Sequence, residues 1–325
     1  MSRWAGRLLT IGMALGIGST AFVPVPVPPA DQAALGEWLF FDPILSRSRT
    51  ISCASCHQPA FAFADTSAVS RGERGRLGKR NTPSAMNVRL QANFFWDGRA
   101  TTLEEQALLP IANPLEMDLP LGQAVQRLNH SRLYRVSFER VFGEAPTQQN
   151  LARALAAFER TLETNQSPLD EWRLSDNDAA VSDAAKRGFA LFEGKARCVQ
   201  CHFGPDFNSA EFRNIGLYDG QALIDSGRAA LTKKSVDVGK FKVGPLRNVA
   251  LTAPYMHNGM FKTLGQVLDF YNDPSKVVPN ALNRDPLLAK PLGLTKQEKQ
   301  DLESFLLTLT DKRFLIRNPP ATLSR

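Results

Sequence analysis

The sequence predicts a mainly α protein built from two helical domains in tandem. Three observations carry that expectation. Apolar residues recur at helical spacing, while strand-like alternation is scarce. All four cysteines fall in two copies of C-x-x-C-H, about 145 residues apart. Helical stretches flank the second copy on both sides. The copies are Cys53 and Cys56 with His57, and Cys198 and Cys201 with His202. C-x-x-C-H is the attachment pattern of a c-type haem, in which two thiols add to the vinyl groups and the adjacent histidine ligates the iron. A four-cysteine zinc ribbon keeps its pairs closer and needs no trailing histidine. A thioredoxin-like site uses one pair at a helix start in an α/β pattern, and plain disulfides leave both histidines unexplained. The expectation is two covalently bound haem c groups on two cytochrome c-like domains, with His57 and His202 on the irons.

The elements follow in chain order. Residues 1–21 read as a secretory signal, with Arg3 and Arg7 ahead of an apolar run from Leu8 to Val23 and an A-x-A-like cleavage site at Ser19 and Ala21. The run is short of the roughly 20 apolar residues a membrane span needs; an uncleaved anchor is the alternative. Residues 22–34 form a spacer whose prolines, Pro24 to Pro29, favour an extended polyproline conformation. Haem c is attached after export, so leader and motifs together indicate a bacterial periplasm. Residues 35–175 make the first domain, in which Thr147 caps a helix carrying Leu151, Leu155, Phe158 and Leu162. The polar stretch Ser175 to Asp178 marks the boundary. Residues 176–325 make the second. There Ser182 caps a helix carrying Ala185, Phe189 and Phe192, and Thr295 with Glu298 forms a capping box ahead of Leu302, Phe305, Leu306 and Leu309. No fixed-period repeat is visible beyond the shared motif.

Composition is that of a globular protein, with 43% hydrophobic and 22% charged residues. The formal charge of +7 falls to +5 without Arg3 and Arg7. Two haems carry about four propionates, so the holoprotein is expected near neutral. Nucleic-acid binding is excluded as a reading, because no basic stretch is interleaved with aromatics. A local basic patch for an acidic redox partner remains compatible.

The segment after the first motif narrows the function. It carries Arg80 to Pro83, then Phe95 to Arg99, then Glu105 to Ala107, Pro110, and Asn113 to Met117. Ala253 to Gly259, Thr263 and Asp269 to Tyr271 follow later. In this order the series resembles the bacterial di-haem cytochrome c peroxidase and MauG family, from about Leu35 onward. The resemblance implies that His57 serves a peroxidatic haem with an open distal side, and His202 an electron-transfer haem. It implies Trp96 between the haems, Gln106 and Pro110 in the distal pocket, and Glu116 as the distal acid. Cleaving an O–O bond moves a proton from one oxygen to the other, and a carboxyl in a water-poor pocket suits that shuttle. The resemblance also places calcium between the domains on Asn81, Thr252 and Pro254, oxygen donors that suit a hard cation.

Two positions depart from the peroxidases that need reductive activation. Their capping histidine, sixteen residues after the first haem histidine, is here Glu73, which implies an uncapped first iron. Fourteen residues after His257, where they carry methionine, stands Tyr271, as in MauG. The resemblance thus implies Tyr271 as the second iron's distal ligand, with Met256 or Met260 as the alternative. A phenolate lowers the potential, whereas methionine raises it. The tryptophan that precedes the second motif in MauG is here Ala196. The expected function is reduction of hydrogen peroxide to water, with electrons from a small cytochrome c or cupredoxin-type donor. A MauG-like oxidase acting on a partner protein and a non-enzymatic electron carrier are the alternatives, and a homodimer is compatible with the resemblance.

Overall fold

The computed structural model describes residues 28–317. The expected signal in residues 1–21, and the spacer up to residue 27, lie outside them. Helices dominate. The first half holds α1 (Gln32–Phe41), α2 (Cys53–Cys56), α3 (Leu103–Ala112), α4 (Leu121–His130), α5 (Arg132–Phe142) and α6 (Gln148–Glu159). After them come α7 (Pro168–Leu174), α8 (Asp183–Glu193), α9 (Ala229–Thr232), α10 (Leu264–Asn272), α11 (Pro274–Val277), α12 (Lys296–Leu307) and α13 (Lys312–Arg317). Among the described residues the one sheet is a short antiparallel ribbon, β1 (Phe212–Arg213) with β2 (Phe241–Lys242). No described helix is long and apolar enough to cross a membrane.

Helix starts obey the capping chemistry in the sequence. Thr147 accepts from the Asn150 N–H, Ser182 from Ala185, and Thr295 exchanges bonds with Glu298. Each satisfies amides that the first helical turn leaves unpaired. One boundary differs from expectation. Asp31 caps α1, so the helix begins at Gln32, inside the stretch read as spacer.

A structural repeat relates the halves. In the first, α1 crosses α6 at Gly36, where a Cβ would lie 1.9 Å from the Ala154 carbonyl oxygen. In the second, α8 crosses α12 at Gly188, where a Cβ would lie 1.9 Å from that of Asp301. Four residues beyond each glycine, a phenylalanine meets the partner helix: Phe40 lies 5.1 Å from Phe158, and Phe192 lies 5.2 Å from Phe305. Only glycine permits so close a crossing. Gly188→Ala is expected to destabilise the second half by about 1–3 kcal/mol, the usual cost of overpacking, and denaturant unfolding of the holoprotein measures it.

Each crossing anchors its own core. Leu35, Leu39, Phe40, Leu151 and Leu155 are buried in the first; Phe192, Leu264, Leu268, Leu302 and Phe305 in the second. Leu169 and Trp172 of α7 pack with the second core, so packing divides the chain ahead of Pro168, not at the polar Ser175. Phe314 of α13 returns to the first core. Between the halves, Arg80 binds Asp225 through two bonds of 2.7 and 2.8 Å and Asp97 through one of 2.7 Å.

Candidate active site

Both C-x-x-C-H copies open onto one cavity of about 1180 Å³ between the halves. That exceeds the roughly 300–1,000 Å³ of a pocket for one small ligand. The short α2 turns the chain so that the His57 amide bonds the Cys53 carbonyl at 2.9 Å. His57 Nδ1 then faces the Phe63 carbonyl at 3.0 Å, and His202 Nδ1 faces that of Phe207 at 2.7 Å. A carbonyl only accepts, so Nδ1 carries the proton and Nε2 presents its lone pair. Burial pushes both imidazoles below their ordinary pKa, which keeps them neutral and fit to ligate.

The four thiols are not paired as disulfides. Burial pushes Cys53 above the usual thiol range and Cys198 up to about 12. Among the described residues no group of three or more His, Cys, Asp or Glu is arranged to hold a metal ion. The cysteines therefore do not converge on a zinc site. Two thiols and one free imidazole nitrogen at each end of a largely apolar cavity fit a c-type haem.

The first end bears the residues expected on its distal side. Gln106 and Pro110, four apart on α3, share a face and line the cavity. After α3 the chain turns, and Asn113 Nδ2 donates to Glu116 Oε1 at 2.7 Å. Burial raises the Glu116 carboxyl above its ordinary pKa, against the lowering effects of that bond and of Arg99. Glu73 takes part by its backbone. Its amide donates to the Glu116 carbonyl at 2.7 Å, while its carboxylate accepts from the Ser48 amide at 2.8 Å and hydroxyl at 2.7 Å. Burial works to raise this carboxyl, but the Ser48 bonds hold it below the usual range. No imidazole occupies that position.

Trp96 stands on the seam. Its Nε1 donates to the Asn81 carbonyl at 2.8 Å, and its own carbonyl accepts from the Lys242 amide at 2.8 Å. Its ring meets Phe241 and His257 edge-on at 6.5 and 6.4 Å, and those two stack at 3.8 Å. Burial pushes His257 down to about 4, so it is a neutral packing group here. Asn81, Thr252 and Pro254 line the same cavity. Asn81 Nδ2 donates to the Ser67 carbonyl at 3.2 Å and Thr252 Oγ1 to that of Val249 at 3.3 Å.

At the second end Tyr271, on α10, lines the cavity together with His202. Burial, reinforced by the nearby thiols, pushes its phenol above the ordinary range. Met256 also lines the cavity, whereas the Met260 sulfur sits 3.8 Å from Asn258 Nδ2 and is not part of the lining. Ala196 is buried in the second core.

Sequence reasoning missed Glu159, Lys242, Phe241 and the Phe63 and Phe207 carbonyls. Lys242 is a half-buried cation bonded to the Gln91 side chain and, at 3.0 Å, to the Asn93 carbonyl, and loss of solvent around the ammonium lowers it to about 8. An Arg80 bridge to Asp225 is equally silent in a linear reading, because its partners lie far apart in the chain.

Known proteins resemble this chain in sequence and in fold. The family model of the di-haem cytochrome c peroxidases matches residues 30–179. The methylamine utilisation protein MauG of Methylorubrum extorquens is 40% identical over 290 residues, covering 87% of this chain and 79% of that protein. The cytochrome c551 peroxidase of Nitrosomonas europaea is 37% identical over 284 residues, covering 86% and 80%. Among solved structures, a MauG-like protein associated with microbial copper homeostasis superposes with a TM-score of 0.80 at 30% identity, covering 94% of this chain and 99% of that one. The chain belongs to the di-haem cytochrome c peroxidase family.

Proposed function

We propose that the protein is a periplasmic di-haem peroxidase that reduces hydrogen peroxide to water, taking electrons from a small redox protein through the second haem. Both haems are held covalently, the first on Cys53, Cys56 and His57 and the second on Cys198, Cys201 and His202. The asymmetry of the cavity carries the reading: its first end bears Gln106 and Glu116 and no second imidazole, while its second end bears Tyr271. Bound there, haem would supply the redox chemistry that peroxide reduction needs.

The chain's own residues do the rest. The Glu116 carboxylate takes the proton from the bound oxygen of peroxide and returns it to the departing one. Asn113 holds Oε1, which fixes the carboxyl's orientation, and the Gln106 amide offers a hydrogen bond to the oxygen. Pro110 narrows the pocket. Trp96 couples the two ends, and Asn81, Thr252 and Pro254 offer oxygen donors for a calcium ion at the seam.

Spectroscopy of the oxidised holoprotein before and after peroxide tests this. The expected result is a first haem that is high-spin and reacts without prior reduction. Two low-spin haems inert to peroxide would leave an electron carrier. Tyr271→Phe is expected to alter only the second haem's spectrum and to raise its potential. An unchanged spectrum would move the ligand to Met256. Tyr271 and the 40% identity to a MauG protein favour a second reading, oxidation of a partner protein. Failure to turn over reduced cytochrome c while still reacting with peroxide would select it.

A further inference from the structure

The structural repeat exposes one residue that differs between the copies without a structural reason. Superposing the crossings pairs Ala154 with Asp301 and Phe158 with Phe305, so Glu159 falls opposite Leu306. Leu306 is 7% exposed and packs in the second core. Glu159 is as deeply placed, at 8%, and lines the cavity near Cys53. The module tolerates an apolar residue here, and the first copy carries a carboxyl instead. No hydrogen bond or ion pair engages that carboxyl among the described residues. Burying an unpaired acid is costly, and it persists where it has work to do.

Resting on the peroxidase reading, we infer that Glu159 is a proton-supplying residue of the first haem site, distinct from Glu116. Peroxide reduction consumes two electrons and two protons from outside: H2O2 + 2 e− + 2 H+ gives 2 H2O. When the O–O bond breaks, Glu116 only relocates a proton that peroxide brought, which completes the first water. The remaining oxygen takes both electrons from the donor and needs both outside protons. A protonated buried carboxyl on the cavity wall can release one and be recharged from solvent.

The surroundings suit that role. Glu159 ends α6, and the next residue, Arg160, pairs with Glu104 of α3 at 2.7 and 2.9 Å on the partly exposed side. Arg160 lowers the Glu159 pKa and Glu104 raises it, but burial dominates and places it at about 8. Cys53 of α2 also lies near it, and a thioether there carries no charge. On α1, packed along α6, Glu37 is exposed.

Glu159→Leu, which installs the second copy's own residue, tests this with Glu159→Gln beside it. The holoproteins are assayed with hydrogen peroxide and reduced cytochrome c. Both variants are expected to keep both haems and the rapid first reaction with peroxide. Their steady-state kcat is expected to fall by about 100-fold, the lower end of the range for a positioned proton donor. The unaltered protein is expected to lose kcat as pH rises through about 8, and both variants are expected to lack that decline. A raised folded pKa means stability is fully present below the ordinary Glu value and falls as pH rises toward 8; Glu159→Leu should flatten that slope and raise Tm. Unaltered kcat and pH profile overturn this inference alone. Failure of both variants to fold makes the carboxyl structural and overturns it too. No turnover in the unaltered protein overturns the peroxidase reading as well.

Discussion

Glu116→Gln is expected to lower turnover of hydrogen peroxide by about 10²–10⁴-fold, the usual contribution of a positioned acid–base group. The substitution is nearly isosteric. Asn113 Nδ2 can still donate to the side-chain oxygen it meets at 2.7 Å, and the backbone bond from Glu73 to the 116 carbonyl is untouched. Loss of rate with retained folding therefore reports the lost proton acceptor. The pH profile sharpens the test. Because burial raises the Glu116 pKa, the unaltered enzyme should slow as pH falls through a value above the ordinary carboxylate range, where the base becomes protonated. The variant should show no such limb. Stopped-flow mixing with peroxide across pH measures both, and a rate within twofold of the unaltered protein would assign the proton shuttle elsewhere.

Changing both Cys198 and Cys201 to Ser is expected to reduce donor-driven turnover to background while the first haem still reacts once with peroxide. On the proposed reading the second haem loses its thioethers and keeps only His202 and Tyr271 as protein ligands, too little to retain it. Phe192, Leu264, Leu268 and Leu302 line the cavity at this end, so an emptied site leaves apolar walls facing water or collapsing inward. Haem content per chain, read from the pyridine haemochrome absorbance, should fall by half. Undiminished turnover with a reduced cytochrome c would mean that electrons reach the first haem without the second.

Much of this was legible in the linear sequence because local chemistry wrote it there. C-x-x-C-H, the Thr147, Ser182 and Thr295 caps and the helical spacing of apolar residues all act within a few positions. What escaped acts across distance or through the backbone. The carbonyls of Phe63 and Phe207 orient the two histidines, and no side-chain identity records a carbonyl's partner. Glu73 reads as a missing ligand, yet its amide steadies the loop carrying Glu116. Glu159 sits beside Arg160 at a helix end, where a solvent-facing pair is the ordinary expectation; the cavity it lines is built from elements far apart in the chain. The repeat itself was hidden because it survives as paired glycines and phenylalanines within otherwise unlike helices.

The contacts made at and just before α13 clasp the two halves together. Phe314 lies in the first core, and the 312 amide bonds the Gln166 carbonyl at 2.9 Å, while the Asp311 amide bonds Asn248 Oδ1 at 2.9 Å. Through Phe314 the first core borrows a piece from the later stretch of sequence, which stitches the two halves together. Neither half should survive separate expression, and the spacing between the redox centres is thereby set by the chain's own closure and not by a chance encounter of two carriers.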